Sequence, residues 1–436
     1  MKARHWIAVC ALLAAVIFVG CDAGNTNSTS TVGTSGMPID DPDESSDAPF
    51  DITTGTPMPD TPYLDYLGAL DLESSEAAEL YLKNYADGVS GKIISCEFVT
   101  SKNLASRLSE RISADLSPDL CDRSDNSYPY LVSKNLYENL TTYIDIASPQ
   151  WAEYYDYIIS RETAGARYFY PTKVTVSPEV LIYNSTRFTR LGLEDPAELW
   201  KNGGWNRAKM SQMLAAAPKI GGANVFENFL ASSGISLVSA DVNGFAIRLN
   251  DENFKKNALF VNENYTPLSD TGAAAILSGE CAFLSVNDVT LAQIRREYSA
   301  EELRIVPYPI DEEAEGIVYN TLSEGFLVPK RAKNIKGAAC FINCSRIAAE
   351  NSEQTASQTD LLPADIEMLR ALRSNADLSA VSIGSYCLDN ASNASIQELI
   401  GEIYTSPTLS EDWEQLAHDY GPPLVRAITE INENLD

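Results

Sequence analysis

The chain has 436 residues, 44% of them apolar and 9% aromatic, which is room for two or three domains with real cores and rules out disorder of the whole chain. Its formal net charge of −29, from 32 basic and 61 acidic residues, repels phosphate backbones and anionic lipid surfaces, so nucleic acid is not expected as a partner. Only two histidines are present, His5 and His418, which argues against a histidine-built zinc site; no metal and no other cofactor is expected.

Lys2 and Arg4 precede an uncharged run from Trp6 to Val19, then Gly20 and Cys21, and polar sequence follows at once. A basic start, a short apolar run and a small residue before the break read as a secretory signal. The run is shorter than the ~20 residues that span a bilayer. Val19-Gly20-Cys21 resembles the bacterial lipobox, with Phe18 where Leu is usual. That resemblance implies a lipoprotein signal peptide over residues 1–20 and acylation of Cys21. Residues 21–61 are rich in Ser, Thr, Gly, Asn, Asp and Pro and contain no Lys or Arg. They bury too little to offset their ordering entropy and read as a disordered tether with a reach of roughly 35 Å.

Past the tether, Ser75 to Asp87 has helical spacing at Ala78, Leu80, Leu82 and Tyr85, and Lys92 to Thr100 reads as a strand. Leu104, Leu108 and Ile112 mark one helical face after a Ser101 N-cap, and Pro118 to Cys121 is a second short strand. This β-α-β order predicts a parallel sheet whose ligands lie beyond the carboxyl ends of its strands, where Arg123-Ser124-Asp125-Asn126 would sit. At the other end of the chain, Thr408 to Glu411 reads as a capping box, and Trp413, Leu416 and Tyr420 share an apolar face. Pro422-Pro423 is expected to open a last helix bearing Val425, Ile428, Ile431 and Leu435.

With Cys10 in the signal and Cys21 acylated, Cys96, Cys121, Cys281, Cys340, Cys344 and Cys387 remain, too few for a disulfide scaffold. The first three lie in apolar strand-like runs. Cys340 and Cys344 are four apart on a helix with no Cys or His partner nearby, so all read as structural rather than metal-binding.

Several stretches resemble, in shared order, the extracytoplasmic solute-binding proteins of ABC importers, in the carbohydrate-binding branch (family 1) that includes maltose-binding protein. They are Ser117-Pro118-Asp119-Leu120, Arg167-Tyr168-Phe169-Tyr170-Pro171, Leu181-Ile182-Tyr183-Asn184, Asp195-Pro196 through Gly204-Trp205, Gly279-Glu280-Cys281-Ala282-Phe283-Leu284, Ile305-Val306-Pro307-Tyr308-Pro309, and Gly325 to Phe341. The resemblance implies an α/β, two-lobed periplasmic-binding-protein-like fold of type II, each lobe a mixed sheet flanked by helices, with the ligand cleft between lobes. Lobe one is expected at 62–173 plus 324–360 and lobe two at 178–322 plus 361–436. It further implies a monomer on the outer face of the cell membrane, attached through its lipid only, that is no enzyme. Such a protein captures a small solute, a sugar or oligosaccharide, and delivers it to ABC permease subunits.

A sugar site needs flat aromatic faces for the pyranose C–H surface and planar polar groups for its hydroxyls. The expected ligand-binding residues are Arg123, Asp125 and Asn126 after the first-lobe strand, Tyr170 before the interlobe crossing, Asn287 and Asp288 after the Cys281 to Val286 strand, and Glu324 and Tyr386 near the later crossings. For the first three, capping of a loop is the competing role. Relatives often carry Gly-x-Trp where this chain has Ser285-Val286-Asn287-Asp288; Trp200 and Trp205 read as packing residues. Two other readings are a surface sensor or adhesin with the same fold, and a secreted glycoside-processing enzyme using paired carboxylates. The sequence has no nucleophile elbow, metal motif or phosphate loop to support the enzyme.

The anchor is directly testable. Cys21→Ala is expected to leave the signal uncleaved or to release the chain from membranes, read by blotting membrane and soluble fractions; a correctly cleaved variant that stays with the membrane would contradict it.

Overall fold

The computed structural model describes residues 61–83, 94–123, 127–176, 178–217, 219–241, 244–268, 272–298, 302–311, 314, 321–352, 360–376 and 388–435. Cys21, the signal, Asp125, Asn126, Tyr386 and Cys387 lie outside the described residues, as does the tether before Thr61. The strands in chain order are β1 (Leu64–Gly68), β2 (Ile94–Phe98), β3 (Leu120–Asp122), β4 (Tyr170–Val176), β5 (Val180–Asn184), β6 (Ile220–Gly222), β7 (Val238–Asp241), β8 (Gly244–Ile247), β9 (Phe283–Val286), β10 (Leu303–Pro307) and β11 (Thr321–Leu327).

β1 is buried on both faces, Leu64 and Tyr66 in one apolar cluster and Leu67 in another, as befits a strand covered by helices on two sides. It pairs in parallel with β2 and β3. The helix Ser101–Ser113 makes the crossover and lays Leu104 and Leu108 into the core, with Ile112 partly buried beside them. Its N-cap is Thr100, not Ser101: Thr100 has the extended backbone that a cap requires, and Ser101 is already helical.

Among the described residues β1 to β3 belong to a five-stranded sheet ordered β2-β1-β3-β11-β4, in which β11 runs antiparallel to β3 and β4. A four-stranded sheet follows, ordered β10-β5-β9-β6, with β6 and β9 parallel and β5 antiparallel to both its neighbours. β7 and β8 form a separate antiparallel ribbon. Both main sheets are mixed and helix-covered, as the motif order implied.

The chain passes from the first sheet to the second between Val176 and Val180 and returns between Pro307 and Thr321. It leaves again between the helix Ile335–Ser352, whose Ala338, Phe341 and Ile342 join the first lobe's core, and the helix Pro363–Ser374, whose Met368, Leu369 and Leu372 join the second's. Both β4 and β11 extend past the lobe boundaries expected at 173 and 324. In the second lobe, Arg295 Nε and Nη2 donate to Asp365 Oδ2 and Oδ1 at 2.7 and 2.9 Å, tying Asp288–Glu297 to Pro363–Ser374. Both side chains are almost wholly buried; removing one partner of such a pair costs ~3–5 kcal/mol, because the other charge is stranded.

The C-terminal helix departs from expectation. It runs unbroken over Leu409–Leu435, through Pro422 and Pro423. The amides those prolines lack would have bonded the carbonyls of His418 and Asp419, which are exposed and can be served by water. The helix's buried face carries Leu409, Trp413 and Leu416 before the prolines and Leu424, Ile428 and Ile431 after them, while Val425 is 52% exposed. Thr408 bonds Asp412 rather than forming a box with Glu411. Cys121, Cys281, Cys340 and Cys344 are buried free thiols. No helix of the described residues is long and apolar enough to cross a membrane.

Candidate functional site

Strands of a parallel sheet present their carboxyl ends as a binding edge. In the first lobe that edge is made by Gly68, Phe98 and Asp122. The Tyr66 hydroxyl donates to Asp122 Oδ1 at 2.5 Å and accepts from the Leu70 amide at 3.1 Å, while the Ala69 amide donates to Oδ2 at 2.7 Å. Only glycine fits at position 68, since a Cβ there would stand 2.1 Å from the Tyr66 hydroxyl and 2.5 Å from Asp122 Cγ. Burial pushes the Asp122 carboxyl above the usual carboxylate range, against the pull of these two donors. Phe98, paired in register with Gly68, is 65% exposed, a large aromatic face at the same sheet edge, two strands across from Asp122.

The second lobe's edge is built around Glu179, which lies just ahead of β5. Its carboxylate accepts from Asn224 Nδ2 at 2.9 Å, from Asn228 Nδ2, and from Ser285 Oγ at 3.3 Å. Asn224 is the N-cap of the helix Val225–Ser232, yet its side chain makes no capping bond and serves Glu179 instead. One turn on, Glu227 accepts from the Tyr404 hydroxyl at 3.4 Å; that hydroxyl accepts from the Phe226 amide at 2.8 Å, and its ring lies 4.4 Å from the Tyr265 ring. Burial raises both glutamates above their ordinary range. The three side-chain donors oppose this at Glu179, and the charge of Glu179 adds to it at Glu227. Carboxyl groups held this way accept hydroxyl protons when ionised and donate when protonated.

The residues singled out from sequence fall in several places. Tyr170 is fully buried, its hydroxyl 3.3 Å from the Ile144 carbonyl and its ring 5.3 Å from Trp151. That corrects its expected place: as the first residue of β4 it faces the first lobe's core. Asn287 caps the helix Asp288–Glu297 by accepting from the Thr290 amide at 2.8 Å. Asp288 accepts from Arg373 Nη2 at 2.9 Å, while Arg373 Nε donates to the Val176 carbonyl at 3.2 Å, so this acid helps clamp the first crossing. Arg123 Nη1 donates to the Ser323 carbonyl at 3.3 Å and its guanidinium lies 5.3 Å from the Phe169 ring centroid. Glu324 is exposed on β11 opposite Lys173. Trp205 is buried with Nε1 on the Pro307 carbonyl at 2.8 Å, a packing residue as expected.

Sequence reading missed Asp122, Phe98, Glu179 and the Glu227–Tyr404 pair. Asp122 has a local signal, as the first acid after the apolar Leu120-Cys121. Glu227 and Tyr404 are 177 positions apart and have none. Among the described residues no group of three or more His, Cys, Asp or Glu could hold a metal.

No family model matches the chain, and no curated protein matches its sequence. Its fold is similar to that of the sugar-binding protein MalE from the phytopathogen Xanthomonas citri, with a TM-score of 0.59 at 14% identity over 85% of this chain and 98% of that one. The GacH receptor of Streptomyces glaucescens, solved unliganded and in complex with acarbose, gives 0.53 at 15% identity over 84% and 98%. The bacterial solute receptor AcbH, with an exclusive preference for β-D-galactopyranose, gives 0.52 at 12% over 86% and 99%. The chain therefore has the two-lobed fold of periplasmic binding proteins.

A raised carboxyl pKa in the folded state means that the group's contribution to stability is complete below its unfolded value of ~4.3 and is lost as pH rises through the folded value. Glu179→Gln removes that loss. Urea unfolding of both proteins from about pH 4 to about pH 8 is expected to show the variant gaining stability relative to wild type as pH rises. A pH-independent difference would contradict the burial of this charge.

Proposed function

We propose that this chain is the extracytoplasmic, lipid-anchored receptor of an ABC importer and that it captures a carbohydrate between its two lobes. The observation that carries the reading is the pairing of chemistries at the strand ends. Asp122 and the exposed Phe98 stand on one sheet, and Glu179 with its Asn224 and Asn228 donors stands on the other. The ring covers the pyranose C–H face, the carboxylates accept its hydroxyls, and closure removes water so that each bond gains weight. Arg123 extends the first wall, and Asp125 and Asn126, which follow it in sequence, are further ligand contacts of this reading; Asn287 and Asp288 border the second wall at the crossing. The similar folds are those of proteins described as sugar-binding, as a receptor solved with acarbose and as a solute receptor, which favours capture over catalysis.

In this reading the lobes take 62–173 plus 324–360 and 178–322 plus 361–436, the protein acts as a monomer held by an acylated Cys21, and membrane permease subunits receive the closed form. The two connecting strands flex while each core stays packed, which is hinge closure.

A thermal-shift screen of neutral and charged sugars and short oligosaccharides tests the reading, because a ligand at 100 times its Kd stabilises by ~2.7 kcal/mol. At least one sugar is expected to shift the melting temperature. For that sugar Phe98→Ala is expected to weaken calorimetric binding about tenfold, or ~1.4 kcal/mol, while unliganded stability stays within ~0.5 kcal/mol because the ring is exposed. A panel with no binder, or an unchanged Kd in the variant, would contradict this site.

A further inference from the structure

The two lobes also touch away from the crossings. Tyr128 and Tyr130 of the first lobe and Leu435 at the end of the C-terminal helix each pack against apolar clusters of both lobes. The Tyr128 ring meets the Phe245 ring of β8 edge-on, with 5.8 Å between centroids and 71° between planes. Lys134 Nζ pairs with the Glu430 carboxylate of the C-terminal helix, 296 positions away in sequence, and lies 5.3 Å from the Tyr130 ring centroid. A ring pair, an ion pair and one leucine thus make a seam between bodies that have separate cores.

Each half of the seam is held firmly by its own lobe. On the first-lobe side Leu131 and Val132 are buried with Leu67, Cys121 and Leu327, and the Glu138 amide donates to the Val328 carbonyl at 2.8 Å. On the second-lobe side Asn432 clips the β7–β8 ribbon to the C-terminal helix. Its Oδ1 accepts from the Phe245 amide and its Nδ2 donates to the Phe245 carbonyl, both at 2.9 Å. Gly244, with φ +103, makes room for the clip, since a Cβ there would stand 2.7 Å from Asn432 Oδ1. The contact between the halves is the weaker link. The Lys134 and Glu430 side chains are 32% and 58% exposed, so water and salt weaken their attraction, and one edge-to-face ring pair adds little beside a packed core. Such a contact parts along its seam while both supports keep their shape.

We propose that this seam is a clasp: the Lys134–Glu430 and Tyr128–Phe245 contacts hold the ligand-free chain at the lobe separation seen here, and their release lets the lobes swing further apart. The inference rests on the hinged reading above and adds a second control on cleft opening, distant in sequence from the β4–β11 connector. A resting state biased towards the bound geometry raises apparent affinity in proportion to its population, so the clasp tunes capture without touching the solute.

Small-angle X-ray scattering of the ligand-free full chain tests it, on wild type, Lys134→Glu, Glu430→Lys and the double exchange that carries both. Each single variant sets like charges against each other at the seam and is expected to enlarge the radius of gyration and the maximum dimension beyond the spread of repeat wild-type measurements. The double exchange restores both the pair and the wild-type net charge, and is expected to bring both dimensions back to wild-type values. Both positions are partly exposed, so circular dichroism melting of the four proteins is expected to coincide, which separates opening from unfolding. Single variants whose scattering superimposes on wild type overturn the clasp, and so does a double exchange that stays as expanded as the singles. Either result leaves the hinged reading standing, because that reading is decided by scattering with and without a saturating sugar.

Discussion

The structure depends on the antiparallel ribbon of β4 and β11. Its near end is zipped into the first lobe's sheet, Phe326 opposite Tyr170 and also opposite Asp122 of β3. Its far end, where Thr321 pairs with Val176, runs beyond the last residue of β3 to the points where the chain enters and leaves the second lobe. The register slips between Glu324 and Gly325. Gly325 has φ +154, and a Cβ there would stand 3.0 Å from both the Phe169 ring and the Tyr170 carbonyl, so no other residue suits the bulge. At the far end Arg373 bonds the Val176 carbonyl and Asp288 together. A ribbon with a bulge at its middle and a clamp at its tip joins the two packed bodies.

Asp122 ends β3, Glu179 stands just ahead of β5 and Glu227 lies on the helix Val225–Ser232, and burial strips all three carboxyl groups of part of their water. Asp122, Glu179 and Glu227 each hold a proton more readily than a free carboxylate, through burial first of all. Each is held by donors that a ligand hydroxyl can join: Tyr66 and the Ala69 amide for Asp122, two asparagines and a serine for Glu179, Tyr404 for Glu227. Preorganised acceptors lose little entropy on binding, which is where a receptor of polyols gains affinity.

Much of the fold was legible in the chain. Leu104 and Leu108 at four-residue spacing gave the crossover helix, and the order of short motifs implied two mixed sheets and interlobe crossings where β4, β5, β10 and β11 supply them. Misreadings came where local pattern and tertiary packing disagree. Pro422 and Pro423 carry a strong helix-start signal, but the buried Trp413, Leu416, Leu424 and Ile428 hold one continuous helix across them. Tyr170 stood beside a crossing in sequence, yet strand alternation turned it towards Trp151. The site was less legible than the fold because its groups come from strand ends distant in sequence. Glu179, Asn224 and Ser285 meet only because β5, β6 and β9 lie side by side.

The central claim is that two packed lobes close about a solute on the β4–β11 connector. Small-angle X-ray scattering of the same sample, without ligand and with the tightest-binding sugar at saturation, tests it most directly. Closure predicts a smaller radius of gyration and a shortened maximum dimension at saturation, fully reversed when the sugar is dialysed away. Superimposable scattering curves at demonstrated saturation would mean a rigid binding surface and would contradict the account.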